Sequence, residues 1–280
     1  MAINWFPGHM VKTKREILEN LKLVDAVIEI RDARIVKSSA NPDIDEICKN
    51  KPRLILLNKS DLSESSITKI WINKLSNENV KVLSVNCLNG NGIKSIKPTL
   101  DVLLKEKHER LIARGISNVT TRVMVVGIPN VGKSSFINKM ANNSIAKTGD
   151  KPGVTKNKQW IKTSIGIELM DTPGVLWPRF EDLTTAQNLA FTGAIKDEVM
   201  DIEELALNLV KVLTLYYPER LKTRYKIEEL SSDALDNLNK IAAKRGSILL
   251  AGKIDYKRVA IMIIDEFRGG KLGPISLERP

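Results

Sequence analysis

Short apolar runs alternate with polar loops through the first two thirds of the chain. Each run ends in a polar or glycine-rich segment, which is typical of buried strands. The predicted strands lie at 24–30, 53–57, 80–85, 122–127, 158–163 and 166–170. Apolar residues recur at helical spacing at 10–22 and 93–114. Buried strands separated by helices indicate a mostly parallel α/β sheet.

From about residue 181 the pattern changes to helices alone. The predicted helices lie at 182–194, 202–216, 233–245 and 255–267. The third of them is followed by Gly246, as a left-handed C-terminal cap requires. We therefore expect two domains, an α/β domain at 1–180 and a small all-α domain at 181–280.

One strand end carries the pattern of a phosphate-binding loop. Residues 127–134 read GIPNVGKS, which fits GxxxxGK[ST], between a predicted strand and a helix. The glycines let successive amides point at a phosphate, Lys133 can bridge the outer phosphates, and Ser134 can ligate Mg²⁺. We expect nucleotide contacts from Asn130, Val131, Gly132, Lys133, Ser134 and Ser135. The alternative is a glycine-containing turn without a ligand.

The segment NKSD at 58–61 has the chemistry needed to read guanine. It follows a predicted strand, at a sheet edge where ligands can bind. Asp61 can accept from two adjacent N–H donors of the base, Asn58 can bond the opposite edge, and the stem of Lys59 can cover the ring. Adenine would place an acceptor against Asp61, so we expect selection for GTP. The alternative is a turn in which Asn58 and Asp61 only cap the next helix.

Further segments complete the expected nucleotide site. Asp171 and Gly174 of DTPG follow the last predicted strand, where a carboxylate can hold Mg²⁺ and a glycine amide can contact the γ-phosphate. Thr155, in the polar segment KPGVTKNKQW, is expected to ligate Mg²⁺ in the triphosphate state, the alternative being an exposed loop threonine. We also expect base contacts from the loop after the third strand, at Asn86, Cys87 and Leu88.

The order of these motifs is rotated relative to Ras-like GTPases, in which the phosphate loop precedes the base-reading motif. Here NKSD begins at residue 58 and the phosphate loop at residue 127. Because these loops leave the same edge of the sheet, joining the old termini and opening the chain elsewhere preserves the site. We therefore expect a circularly permuted Ras-like P-loop GTPase fold, whose second switch leads directly into the helical domain.

These motifs resemble those of a known family, the circularly permuted GTPases of the ribosome biogenesis GTPase A (RbgA/YlqF) type. The resemblance covers nearly the whole chain. It is carried by INWFPGHM (3–10), RDARIVKSSANP (31–42), NKSD, GIPNVGKSS, PGVTK, DTPGVLWP and GGKLGPISLE (269–278). One departure is Val36, where the family pattern leads us to expect proline. The resemblance implies a factor that acts late in assembly of the large (50S) ribosomal subunit, binds ribosomal RNA and leaves after GTP hydrolysis.

The expected hydrolytic site lacks the glutamine that in many GTPases follows DxxG and orients the attacking water. Val175 and Leu176 stand there instead, and apolar side chains cannot hold a water by hydrogen bonds. His9, in the turn-like segment FPGHM, is the candidate replacement, and the resemblance also points to it as the catalytic residue. The alternative is a surface or capping histidine. Asn130 resembles the asparagine of GTPases that bind K⁺ beside the phosphates, so we expect K⁺ as well as Mg²⁺.

Charge and composition limit the possible partners. The net charge is +11, and residues 1–180 carry 29 Lys and Arg against 17 Asp and Glu. This excess favours RNA, although a solvated basic surface is the alternative. We see no membrane-spanning run and no secretory signal, and Cys48 and Cys87 fit core positions in a reduced compartment. We expect a cytoplasmic monomer.

Two other functions remain open at the level of sequence. One is a GTP-gated RNA-binding scaffold in which nucleotide turnover is incidental. The other is a P-loop ATPase or nucleotide kinase, against which NKSD argues. Competition between GTP and ATP separates the second from a GTPase, and release from ribosomal particles after loss of His9 separates the first.

Overall fold

The structure, a computed structural model, describes residues 15–116, 119–141, 160–172 and 182–280. These residues form two compact units. The first comprises the described residues up to Asp182 together with the tail Ser276–Pro280, and the second comprises Leu183–Ile275. The chain thus returns to its first unit at the carboxyl end.

A six-stranded sheet organises the first unit. Its strands are β1 Ala26–Asp32, β2 Arg53–Asn58, β3 Val80–Ser84, β4 Thr121–Val126, β5 Trp160–Lys162 and β6 Ile167–Asp171. Their order is β3-β2-β1-β4-β6-β5, and every neighbouring pair is parallel except β5 with β6. The predicted mostly parallel sheet is confirmed. β4, which leads into the phosphate loop, lies between β1 and β6.

Burial explains why the central strands are nearly continuous apolar runs. β1 is buried at every position and β4 at every position except Arg122. Interior strands of a parallel sheet are covered on both faces, so neither face can remain polar. β1 nevertheless holds Glu29 and Arg31, whose Oε1 and Nε atoms lie 2.6 Å apart, and Nη1 of Arg53 lies 3.0 Å from Glu29 Oε2. Mutual pairing makes these buried charges tolerable.

Six helices flank the strands in the described part of the first unit. They are α1 at 15–21, α2 Pro42–Ile47, α3 Ser65–Leu75, α4 Ile96–Leu103, α5 Lys105–Ala113 and α6 Lys133–Ala141. The single helix predicted at 93–114 is wrong, because the backbone leaves helical geometry at Leu104 (φ −106°, ψ 13°). α4 buries Ile96 and Leu100, whereas α5 buries none of its residues. Different surroundings therefore divide one apolar pattern into two helices.

Two clusters of buried apolar side chains stabilise this unit. One contains Ile17 of α1, Val27 and Met124 of the sheet, and Cys48. The other contains Ala33, Val36, Ile55, Leu57, Ile67, Trp71 and Val82. Val36, the departure from the family pattern, is thus a core residue. Cys48 and Cys87 are both buried free thiols, which confirms their expected core positions.

The second unit is helical. Its helices are α7 Leu183–Phe191, α8 Ile202–Tyr216, α9 Pro218–Tyr225, α10 Ala234–Arg245 and α11 Tyr256–Arg268. α8 contacts all four of the others. The Asp201 carboxylate caps α8 by accepting from the amides of Glu203 and Glu204. No described helix is long and apolar enough to cross a membrane.

The pattern of apolar residues did not predict α9. The segment PERLKTRY is mostly polar, and its two buried residues, Leu221 and Tyr225, are one turn apart. An ion pair explains part of its stability, since Nε of Arg224 donates to Oε2 of Glu266 at 2.9 Å on α11. Because Arg224 and Glu266 are 42 residues apart, this contact produces no pattern of apolar residues within the helix itself.

The left-handed cap of α10 generates a stability prediction. Gly246 has φ 66°, and a Cβ there would meet nothing within 4 Å. Gly246→Ala should therefore cost about 1 kcal/mol of unfolding free energy through backbone strain alone. Gly246→Asn should cost less, because asparagine tolerates the left-handed region. Urea denaturation followed by circular dichroism measures both, and equal costs would contradict the backbone explanation.

Candidate nucleotide-binding site

The carboxyl ends of neighbouring strands bring the predicted motifs together. β2 ends at Asn58, β4 leads to Gly127, and β6 ends at Asp171. Between β2 and β4 lies β1, whose last residue, Asp32, is in register with Asn58. Because these strands are parallel, all four ends lie at one edge of the sheet, where α/β proteins bind ligands.

Close contacts require glycine at two positions of the phosphate loop. Gly127 has φ 151° and Gly132 has φ 99°. A Cβ on Gly127 would lie 2.6 Å from the carbonyl oxygen of Ile30, and one on Gly132 would overlap Nδ2 of Asn58. Asn130 also has a positive φ, 60°, which asparagine tolerates better than most residues. Any side chain at Gly132 would therefore displace the amide of Asn58.

The Lys133 ammonium lies against the backbone of its own loop. Nζ donates to the carbonyl oxygens of Gly127 at 3.0 Å and Ile128 at 2.8 Å. Burial lowers the pKa of Lys133 to about 8, while the charge of Asp171 acts in the opposite direction. The two carbonyl contacts thus fix the Lys133 ammonium, which is expected to bridge the phosphates, and its burial makes it less basic than an exposed lysine.

Asp171 and Ser134 are the described residues with the right chemistry for Mg²⁺. Burial raises the pKa of the Asp171 carboxyl, and the Lys133 charge and the Thr172 amide oppose that shift. The hydroxyl of Thr172 donates to the Val125 carbonyl at 2.7 Å and fixes the end of β6 to β4. Magnesium is commonly held by one or two carboxylates together with substrate phosphates. One hydroxyl and one carboxylate beside a phosphate loop fit that set.

The amide of Asn58 joins three loops. Its Nδ2 donates to the Val131 carbonyl at 2.7 Å, in the phosphate loop, and its Oδ1 accepts from the Cys87 amide at 3.0 Å. The side chain is buried at 3% exposure. Asn58 therefore braces the phosphate loop and the loop after β3, a role that the sequence did not reveal. Its direct contact with the base remains a prediction.

Lys59 and Asp61 differ in their surroundings. Lys59 has φ 58°, and its Nζ donates to the Asn130 carbonyl at 2.7 Å and lies 3.1 Å from Oδ2 of Asp32. Its ammonium is thus anchored while the stem crosses between the two loops. Asp61 lies in the 3₁₀ helix Ser60–Leu62 and is exposed. An exposed carboxylate beside an anchored lysine is suited to accepting donors of a base.

The loop after β3 is ordered by its own asparagine. Oδ1 of Asn86 accepts from the amides of Leu88 at 2.9 Å and Asn89 at 3.2 Å. The Cys87 amide is directed to Asn58. The amides predicted to reach the base oxygen therefore already have protein partners, and the structure gives Asn86 and Cys87 a bracing role. Leu88 is 81% exposed.

The described residues cover part of the predicted site. Asn130, Val131, Gly132, Lys133, Ser134 and Ser135 form one continuous loop and helix start beside Asn58 and Lys59. His9, Thr155 and Gly174 lie outside the described residues. Asp32, in the segment RDAR, has no role predicted from the sequence, yet it contacts Lys59 directly. The position of RDAR at the end of a buried strand was the signal that could have identified it.

The pKa of Lys133 predicts a pH dependence for nucleotide binding. A bound triphosphate favours the protonated amine, so the pKa is higher in the complex than in the free protein, where it is about 8. Affinity should fall as pH rises above about 8, by at most about tenfold per unit, because binding must then take up a proton. Calorimetry in two buffers of different ionisation enthalpy measures that uptake.

The control is the same titration at about pH 6, where the amine is protonated in both states and uptake by Lys133 should vanish. An affinity for nucleotide that is unchanged from about pH 6 to 9 would contradict the assignment.

Comparisons with known proteins extend over the whole chain. The family described as 50S ribosome-binding GTPase matches residues 122–252. Ribosome biogenesis GTPase A of Bacillus licheniformis is 47% identical over 100% of this chain and 99% of its own. The protein of the same name from Bacillus cereus is 46% identical, with 100% and 95% covered. The probable ribosome biogenesis GTPase A of Mycoplasma genitalium is 33% identical, with 99% and 96% covered.

Solved structures agree with these relatives. GDP-bound YlqF is 26% identical, with a TM-score of 0.65 over 95% of this chain and 99% of that chain. GNP-bound YlqF from T. maritima is also 26% identical, with a TM-score of 0.63 over 96% and 98%. Both carry a guanine nucleotide or its analogue in a chain of matching length. End-to-end identity of this degree shows that the protein is a GTP hydrolase and belongs to the ribosome biogenesis GTPase A family.

Proposed function

We propose that this GTPase acts late in assembly of the large (50S) ribosomal subunit. It binds ribosomal RNA and the precursor particle in the GTP state, and hydrolysis stimulated by the particle releases it. The full-length identity to relatives named ribosome biogenesis GTPase A carries the proposal. We further propose that it works as a monomer in the cytoplasm.

The nucleotide site supports the switch part of this proposal. Base-reading and phosphate-binding segments 73 residues apart in sequence are bonded to each other through Asn58 and Val131. A change at the phosphates can therefore reach the base loop through a single hydrogen bond. The Gly174 segment, through which a γ-phosphate would be sensed, precedes the second unit in the chain.

Exposed cations support RNA binding by both units. The first 180 residues carry the excess of positive charge. In the second unit, which is nearly neutral overall, Lys244, Lys253 and Arg258 are exposed around a turn that also exposes Leu249 and Leu250. Basic residues interleaved with apolar side chains suit the phosphates and unstacked bases of RNA.

We propose two cations in the hydrolytic complex. Mg²⁺ would be held by Ser134, Asp171 and, in the triphosphate state, Thr155. K⁺ would be held by Asn130, whose left-handed backbone places it in the curve of the phosphate loop. A potassium ion held there would supply charge that some GTPases take from an arginine finger.

Hydrolysis rates in K⁺ and Na⁺ buffers measure the potassium requirement. The rate with K⁺ should be higher, and Asn130→Gly should remove the difference. Glycine is the appropriate replacement, because a residue at φ 60° without asparagine's tolerance would add strain. Equal rates in the two salts would end the potassium proposal.

Stimulation by the large subunit tests the ribosomal role. GTP hydrolysis should rise when purified large subunits are added, and stimulation should decline with salt because Lys and Arg contacts to phosphate release counterions. His9→Ala should lower the rate about 100-fold, the usual contribution of a general acid or base, while GTP binding stays unchanged.

Two outcomes decide between the alternatives. If the protein is an RNA-binding scaffold in which GTP hydrolysis is incidental, the His9→Ala variant should leave the particles normally. If hydrolysis drives release, this variant should stay bound. A rate that large subunits do not change would reject the ribosomal role, and competition with ATP under the same conditions controls for base selectivity.

A further inference from the structure

A buried carboxylate connects β1 to the base-reading lysine. Asp32 is 1% exposed and ends β1. Its Oδ2 lies 3.1 Å from Nζ of Lys59 and accepts from Nη2 of Arg34 at 2.8 Å. Oδ1 accepts from the amide and Nε of Arg34, both at 3.0 Å. One carboxylate is thus shared between a fully buried guanidinium and a half-buried ammonium.

The two neighbouring cations keep the Asp32 carboxyl ionised. Burial alone would raise the pKa of Asp32, yet Arg34 and Lys59 hold it well below its ordinary value. The carboxylate therefore stays ionised and attracts Lys59 at all physiological pH values. Lys59 has a left-handed backbone and a second bond, to the Asn130 carbonyl. The two contacts fix where its stem lies beside the phosphate loop.

The loop after β1 is held in turn by the carboxyl-terminal tail. The amide of Leu277 donates to the Arg34 carbonyl at 2.9 Å. The Glu278 carboxylate accepts from the amides of Lys37 at 2.6 Å and Ser38 at 3.0 Å, and also pairs with the Ser38 hydroxyl. These contacts join residues about 240 positions apart.

The tail is also attached to α3 and the turn that precedes it. The hydroxyl of Ser276 accepts from the Glu64 amide at 3.1 Å, and Trp71 Nε1 donates to the carbonyl of Glu278 at 3.5 Å. The exposed Arg279 side chain lies 3.6 Å from the half-buried Glu64 carboxylate. The tail thus packs on the element that follows NKSD as well as on the loop that contains Arg34.

We propose that Asp32 is a positioning residue for Lys59 in guanine-nucleotide binding, and that the tail Ser276–Pro280 maintains this position by clasping the loop that contains Arg34. This rests on the proposed role of Lys59 in covering the base. When the tail detaches, Arg34 shifts and the Asp32 carboxylate moves with it. The stem of Lys59 then loses its fixed position beside the phosphate loop. Nucleotide then dissociates faster, while the chemistry at the γ-phosphate is unaltered.

A double-mutant cycle tests the first part of the proposal. Asp32→Asn should weaken GDP binding about tenfold, since it removes a charge-assisted hydrogen bond to Lys59. In a Lys59→Ala background the same substitution should have almost no further effect, because the residue through which it acts is absent. Fluorescent GDP displaced by unlabelled GDP gives the dissociation rates. An equal loss in both backgrounds would overturn the proposal, as would no loss in either.

Glu278→Ala tests the clasp without disturbing a buried charge, and it keeps the proposal testable if Asp32→Asn does not fold. It should raise the dissociation rate of GDP and the KM for GTP several-fold and leave kcat unchanged. Arg279→Gln is the matched control, because the long ion pair of the exposed Arg279 side chain with Glu64 contributes little to the attachment of the tail, so this variant should change neither the dissociation rate nor the KM. A fall in kcat at constant KM, or equal effects of both variants, would contradict the clasp.

The outcome is separable from that of the proposed ribosomal role. Stimulation by large subunits is read as a ratio at saturating GTP, which a weaker nucleotide affinity does not alter. If Lys59→Ala itself leaves GDP binding unchanged, the role of Lys59 is wrong and the positioning proposal fails with it. The ribosomal proposal would then stand on its own experiment.

Discussion

The candidate nucleotide site depends on one buried side-chain amide. Asn58 bonds the phosphate loop through Val131 and the loop after β3 through Cys87. These contacts are possible because Gly132 leaves room where any Cβ would overlap the amide. An amide supplies a donor and an acceptor on one rigid plane, so it can satisfy two backbone groups at once. A residue without an amide at position 58 would leave the Val131 carbonyl and the Cys87 amide without this partner, and the two loops would no longer be held together.

Local patterns predicted those parts of the site whose chemistry is local. The phosphate loop follows from the spacing of Gly127, Gly132 and Lys133 between a strand and a helix, and the structure has β4 and α6 there. The strands were predicted because burial on both faces produces continuous apolar runs. The rotated order of the motifs was visible because a circular permutation preserves each motif and changes only the order in which the motifs occur along the chain.

Features that depend on distant contacts were not predictable. α9 is held by Arg224 and Glu266, which are 42 residues apart, and its own pattern is mostly polar. The break at Leu104 reflects what each half packs against rather than its periodicity. Asp32 and Glu278 look like ordinary charged residues in the sequence. Only the fold shows that Asp32 contacts Lys59 and that Glu278 seats on the loop after β1.

The return of the tail to the first unit has a consequence for biosynthesis. Translation proceeds from the amino end, so Glu278 is joined about 240 residues after the loop at Lys37 and Ser38 that it contacts. The sheet and both nucleotide-binding motifs precede it in the chain and can fold earlier. The loop at Lys37 and Ser38 gains its carboxylate partner only after Glu278 has been synthesised. A nascent chain that has not reached Glu278, or a variant that ends before it, therefore lacks this contact even when its sheet is complete.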